Sequence, residues 1–439
     1  MITKQHKNLA QEMIELAKQN GCSASRISIG SGTESSFEYR DTQLEQLQQS
    51  SQNQLSVSLF VDGRFGSYST NRIEKNELKK FIKNAIDATR YLAEDPHRTL
   101  PDPALYYKGN DAPDACYDKR FGQLQPDEKL QLAKATVEEV YQTDPHIISV
   151  VGSYGDGDWF SYLVDSNGFE GEKAQTSFSL SASVSLKSDG DARPEAWWYD
   201  GALFWDKLQK EGIGKKALER ALRKLGTGKI KSGQYPMIVD NMNVSNLLSP
   251  VISALNGNTL AQKNSFLIDK LGKKIAAGKL TLADEPHLPQ AQGSRWFDSE
   301  GVATYPRTII ADGVLQTYFI DTYNANRLKM PPTISGASVL TFKQGGKDLE
   351  GLIAQLKKGI LVTGFNGGNS NSSTGDFSFG IEGFLIENGK LVKPVSEMNI
   401  TGNMLTLWER LAEVGNDARL NASWRTPSLL FDNVSFSGI

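Results

Sequence analysis

From Ser177 to Leu186 serine alternates with an apolar residue at every step, so Phe178, Leu180, Ala182, Val184 and Leu186 occupy one parity and five serines the other. Side chains of a strand point to opposite faces in turn, whereas a helix would mix these two sets on every side. The segment therefore predicts a strand with one buried face. Its other face is small and polar, suited to solvent, to a partner sheet or to an extended peptide laid across it.

Elements of both periods surround this strand. Leu9, Met13, Leu16 and Ala17 repeat at helical spacing and Asn20-Gly21 supplies a left-handed stop. Leu55, Val57, Leu59 and Val61 alternate before Asp62-Gly63, a primed-turn hairpin signal. A helix over Leu78–Thr89 then ends at Asp95-Pro96. A similar order recurs: Pro126, Asp127 and Glu128 open a helix, strands are expected at 147–154 and 159–164, and Asn167-Gly168 turns the chain. A helix from Leu208 to Leu225 carries Lys215, Lys216, Arg220, Arg223 and Lys224, which read as a solvated face because no aromatic residues interleave with them.

Gly226, Gly228, Ser232 and Gly233 form a linker, placing the main boundary near residue 230. The expected N-terminal domain spans 1–230, with a first helix-strand-helix unit at 1–98 and a second at 120–230; the C-terminal domain spans 231–439. Beyond the linker, Asp312-Gly313 and Asn388-Gly389 predict hairpins, and helices are expected at 245–256, 322–328, 348–358 and 403–413. The fold class is α+β: an N-terminal α/β-sandwich-like part with helices flanking mixed sheets, then a largely antiparallel β part with few helices.

Composition excludes several functions. Lys plus Arg number 48 against 51 Asp plus Glu, a net charge of −3, which gives no cationic field for nucleic acid. Only four histidines, at 6, 97, 146 and 287, and two cysteines, at 22 and 116, are present. No two of these histidines share a helical turn and neither cysteine has a CxxC partner, so zinc ribbons, HExxH helices and disulfide scaffolds are excluded. The expected cofactor is none. The opening MITKQHKNLAQEMIELAKQN lacks a signal-peptide apolar core, and no run reaches the ~20 apolar residues of a membrane span; a cytoplasmic protein is expected.

Residues 364–383, GFNGGNSNSSTGDFSFGIEG, contain six glycines and read as a long loop, able to cradle a ligand but matching neither a Walker A nor a GxGxxG pattern. No GxSxG elbow occurs. His287 follows two acids in a proline-bounded loop, which suits a structural imidazole as well as a tuned one.

Specific tracts carry a resemblance. SFLIDKLG (265–272), DEPHLP (284–289), EGVAT (300–304), DGVLQTYFIDTYNANRL (312–328), TGDFSFGIEGFLIENG (374–389), VGND (414–417) and RTPSLLFDNVSFSG (425–438) are similar to the TldD/PmbA family, also called modulators of DNA gyrase. DGRFGSYST (62–70) and AIDATRYLAEDP (85–96) extend the likeness to the front half. The resemblance implies two branches. TldD-type chains are zinc peptidases with an HExxxH helix and a later cysteine, while TldE-type chains, also named PmbA, lack the motif and associate with a TldD partner.

Flanking tracts place that motif at Ser253-Ala254-Leu255-Asn256-Gly257-Asn258, where Ser253 and Asn258 stand for the histidines and Ala254 for the glutamate. Hydroxyl and amide groups are poor zinc ligands and alanine cannot accept a proton from bound water. The resemblance thus implies a TldE-like chain: a non-metal subunit that joins a TldD-like metallopeptidase, is homodimeric in isolation and meets peptide substrate within the complex. Thr374, Gly375, Asp376, Ser378 and His287 are the expected cleft or substrate contacts. Two alternatives stay open: a stand-alone hydrolase using Asp376, Ser378 and His287, and a binding protein acting on DNA gyrase or a toxin–antitoxin pair.

Overall fold

A computed structural model describes residues 2–109, 115–188 and 193–438. The first helix, α1 (Lys4–Gln19), starts at Thr3, whose side chain accepts the His6 amide while the His6 ring accepts the Thr3 amide, a reciprocal cap. Three strands follow, β1 (Ala24–Arg40), β2 (Gln43–Val61) and β3 (Arg64–Thr70), then α2 (Lys75–Thr89). The order then repeats as α3 (Pro126–Glu138), β4 (Ile147–Asp165), β5 (Glu170–Leu186), β6 (Glu195–Ala202) and α4 (Ile213–Leu222).

The six strands form one antiparallel sheet, ordered β3-β2-β1-β4-β5-β6. At its centre β1 and β4 pair continuously from Arg26↔Asp165 to Arg40↔Val151, relating the two helix-strand units by an approximate two-fold axis. The helices cover one face in two separate cores. Ile27, Ile29, Leu55, Val57 and Tyr162 pack with α1 and α2, and Tyr154, Phe178, Leu180 and Val184 with α3 and α4. The opposite face carries Ser177, Ser179, Ser181, Ser183 and Ser185.

Several local expectations differ from what forms. β4 is a single strand of 19 residues rather than two. Residues 155–158 lie between the two expected strands, and Gly155 and Gly157 let neighbouring strands close in: a β-carbon at Gly157 would sit 3.0 Å from the Thr33 carbonyl. The helix over 208–225 is confined to α4, and only 349–354 of the expected 348–358 helix and 404–409 of the expected 403–413 helix are helical.

The second half begins with β7 (Gly233–Val239), α5 (Val244–Ala254) and α6 (Gly257–Ala261), then β8 (Leu282–Asp284), β9 (Arg307–Ala311), β10 (Val314–Leu315), α7 (Thr322–Leu328), β11 (Leu340–Phe342) and α8 (Leu349–Ala354). It ends with β12 (Lys358–Ser370), β13 (Asp376–Glu387), β14 (Lys390–Asn403), α9 (Met404–Glu409), β15 (Leu411–Val414), β16 (Trp424–Arg425) and β17 (Leu429–Ser437). The larger sheet runs β14-β13-β12-β7-β17-β15 and curls until β14 also pairs β17, enclosing a core that includes Met237, Leu247, Ile381, Ile400 and Phe431. The smaller sheet runs β10-β9-β8-β11-β16. Residues 364–383 are therefore not a loop. They form most of the β12–β13 hairpin, with a bulge between Phe365 and Gly368. Gly368, at φ +100°, faces the Ser378 carbonyl so closely that a β-carbon would lie 2.1 Å from it.

Candidate functional site

α5 brings Ser253 and Ala254 to its last turn, and α6 follows at once. Asn256 caps α6 by accepting the Asn258 amide at 2.9 Å, while the Gly257 amide donates to Phe319 O at 2.7 Å. Gly257 is packed so tightly on α7 that a β-carbon would stand 2.9 Å from Asn324 Cβ. Ser253 and Asn258 face solvent, the Asn258 amide oxygen accepts from Gln262 at 3.2 Å, and the Ala254 methyl lies in the core. Backbone geometry around these positions is thus fixed by glycine, cap and core.

From this corner a chain of hydrogen bonds leads to the glycine-rich hairpin. Ser265 Oγ donates to Ala254 O at 2.6 Å, and the next amide, Phe266 N–H, donates to Ser372 O at 2.9 Å in the β12–β13 turn. Asn403 closes the turn from β14: its Nδ2 donates to Thr374 O at 2.8 Å and to Asp376 Oδ1 at 2.9 Å. Thr374 Oγ1 donates to Asp376 Oδ2 at 2.8 Å. Asn403 and Thr374 together hold the Asp376 carboxyl below the usual carboxylate range.

Three of the sequence-singled residues, Thr374, Gly375 and Asp376, therefore converge beside the 253–258 segment. Their backbone amides are all engaged inside the turn: Thr374 and Gly375 donate to Asn371, and Asp376 to Thr374 Oγ1. This turn is a rigid wall element rather than a row of open donors. Ser378 lies exposed on β13, in register with Asn369 and Thr401.

His287 is placed elsewhere. Its ring packs 4.2 Å from that of Trp296 and its Nε2 lies 3.1 Å from Thr304 Oγ1, in a cavity between the two halves of the chain. No hydrogen bond joins it to Asp376 or Ser378 among the described residues. The same cavity contains Lys173, which sequence reading passed over. A lysine in a strand carries no local mark, and its partners here come from 286–297, more than a hundred residues away. Elsewhere at this junction, Arg26 Nη2 donates to Glu300 O at 3.0 Å and stands 3.7 Å from Asp165. Tyr106 Oη donates to Asp165 at 2.6 Å. Burial raises the Tyr106 phenol and the Glu300 carboxyl above their ordinary ranges.

The motifs match known families along most of the chain. Residues 26–89 match the model of PmbA/TldA metallopeptidase domain 1, 119–225 that of the central domain and 232–438 that of the C-terminal domain. The curated Metalloprotease PmbA of Escherichia coli O157:H7 is 28% identical over 97% of this chain and 94% of its own length. The Metalloprotease PmbA homolog of Haemophilus influenzae is also 28% identical, over 100% and 98%. A crystal structure from Bacteroides thetaiotaomicron, described as a candidate modulator of DNA gyrase, is 58% identical, covers 100% of both chains and superposes with a TM-score of 0.98. TldE from Thermococcus kodakarensis shares the fold at 21% identity, covering 98% of this chain and 100% of its own, with a TM-score of 0.86.

The relatives' names imply a metal, and the donors at 253–258 do not fit one. A hydroxyl, an amide and a buried methyl offer no thiolate, imidazole or carboxylate. Among the described residues no group of three or more His, Cys, Asp or Glu is placed to hold an ion, and no helix is long and apolar enough to cross a membrane. With three domain models matched in order from residue 26 to residue 438, the chain belongs to the PmbA/TldD family.

Proposed function

We propose that this chain is the TldE-type, non-metal subunit of a two-chain peptidase, working in the cytoplasm with a TldD-like metallopeptidase to cleave peptides or unfolded polypeptides. The observation that carries the reading is the chemistry of residues 253–258, where Ser253 and Asn258 are exposed neutral groups and Ala254 is spent on the core. A zinc-water general-base mechanism needs ligands and a carboxylate that this segment lacks. The helix-capped 253–258 corner and the 371–376 turn then serve as a preformed wall of the substrate cleft, with Ser378 and the turn's outer side chains facing the peptide. In isolation the chain forms a homodimer, the commonest symmetric assembly.

Co-expression with a TldD-like chain of the same genome tests this directly. Size-exclusion chromatography is expected to show a mixed complex with peptide hydrolysis that chelator abolishes, while the chain alone carries no stoichiometric zinc and cleaves nothing. Stoichiometric zinc in the isolated chain, or absence of both complex and stimulated cleavage, would sink the reading. The description attached to the 58% identical structure favours a second reading, a protein that binds gyrase. A pull-down that recovers gyrase and no peptidase subunit would put it first.

A further inference from the structure

A cavity of about 300 Å³ lies where β5 meets the loop 286–297, with Lys173, Cys116, His287, Arg295, Trp296 and Phe297 in its lining. Most of the wall is aromatic or aliphatic carbon. The Lys173 ammonium sits 4.2 Å from the centre of the Phe297 ring and, among the described residues, has no hydrogen bond or ion pair. Arg295 spends its donors on neutral oxygens: Nε on Ser338 Oγ at 2.9 Å, and Nη2 on the Gly336 and Ala337 carbonyls.

The nearby acids are committed elsewhere. Asp298 accepts the amides of Glu300 at 2.8 Å, Val302 at 3.0 Å and Ser335 at 3.1 Å. Glu172, also on the cavity wall, is paired with Lys7. Two cations thus share one apolar cavity without, among the described residues, a carboxylate in contact with either. Burial, with Arg295 adding repulsion and Asp298 partly opposing, pushes the Lys173 amine down to about 8, and burial lowers the Arg295 guanidinium as well. Positive charge left over inside a cavity is stabilised by an incoming anion.

We propose that this cavity binds a small carboxylate with an aromatic or branched apolar body, the carboxylate pairing with Lys173 and the body packing among Trp296, Phe297 and His287. The volume is at the low end of ligand sites and admits one residue-sized group. A phosphate is disfavoured because a single ammonium without converging backbone amides does not satisfy its oxygens. A small free acid and the C-terminal residue of a peptide present this same chemistry.

The test titrates full-length protein with N-acetyl-phenylalanine, its amide, a tetrapeptide ending in phenylalanine and the amidated tetrapeptide, by calorimetry and tryptophan fluorescence. At least one free acid is expected to bind at least tenfold more tightly than its amide. Lys173→Met is expected to lose that preference and Lys173→Arg to keep most of it, with thermal melts confirming that both variants are folded. Binding of the acetylated amino acid alone, or of the peptide alone, supports the site and identifies its source. Equal binding of acid and amide, unchanged binding by folded Lys173→Met, or no binding of any of the four ligands overturns it.

Discussion

The turn at 371–376 and the cavity at Lys173 both bring polar groups together, and they spend them in opposite ways. In the turn the amides of Ser373, Thr374, Gly375 and Asp376 all meet acceptors within the same few residues, and the one acid, Asp376, is held by Asn403 and Thr374. In the cavity, acids and cations are near each other but bonded elsewhere, and among the described residues a charge is left without a partner in contact. A satisfied cluster rigidifies the fold, whereas an unsatisfied one costs stability and offers a place for a ligand.

The contrast is most exposed to failure at Asn403. Its amide makes both bonds to the turn, and its Oδ1 accepts Leu405 N–H at 3.1 Å as the cap of α9. Asn403→Ala is expected to cost about 2–3 kcal/mol, one cap and two hydrogen bonds, read by urea denaturation. A change near zero would mean that the turn does not depend on its own polar groups.

Lys173→Met carries the opposite sign. Removing an uncompensated cation is expected to stabilise the chain at pH 7 by about 1–2 kcal/mol, discounted for the cavity's access to solvent. The amine's folded value, about 8, lies below its unfolded 10.5, so between those pH values the unfolded chain binds more protons. Wild-type stability therefore gains on the variant as pH rises through this window, and the gap closes above it. A gap that is flat from pH 7 to 11 would show that Lys173 is not desolvated.

Asp376→Asn should give the smallest effect, a modest fall in Tm at pH 7. The carboxyl's folded value is depressed, so its stabilisation is present above the unfolded value near 3.8 and is lost as pH falls through the folded one. Variant and wild type are expected to converge in melts as pH falls through that folded value.

What the sequence made legible follows from locality. Asp62-Gly63, Asp312-Gly313 and Asn388-Gly389 all take positive φ at both residues, as a primed turn requires, and each joins the strands expected of it. The serine-alternating strand is β5, with its apolar set buried. Misreadings arose where distant strands decide the outcome. Residues 364–370 look like a loop until β13 pairs with them, and 411–413 leave the expected helix because β17 takes them. At the candidate site, the tracts at 253–258 and 374–376 were marked by their resemblance and by glycine. Lys173 was invisible because its meaning depends on Arg295 and Phe297, which reach it only in three dimensions.

The seam between β1 and β4 also governs how this chain is made. Ile147 lies 107 residues beyond Arg40, which at about 5–20 residues per second leaves the inner edge of β1 without its partner for about 5–20 s of synthesis. An open edge of this length is a template for pairing with other nascent chains. Glu34, Glu38 and Arg40 place charges along it, the means by which natural sheets discourage such contacts. Pairing so remote in sequence slows closure of this sheet, and translation that pauses before β4 leaves a half-sheet prone to aggregate.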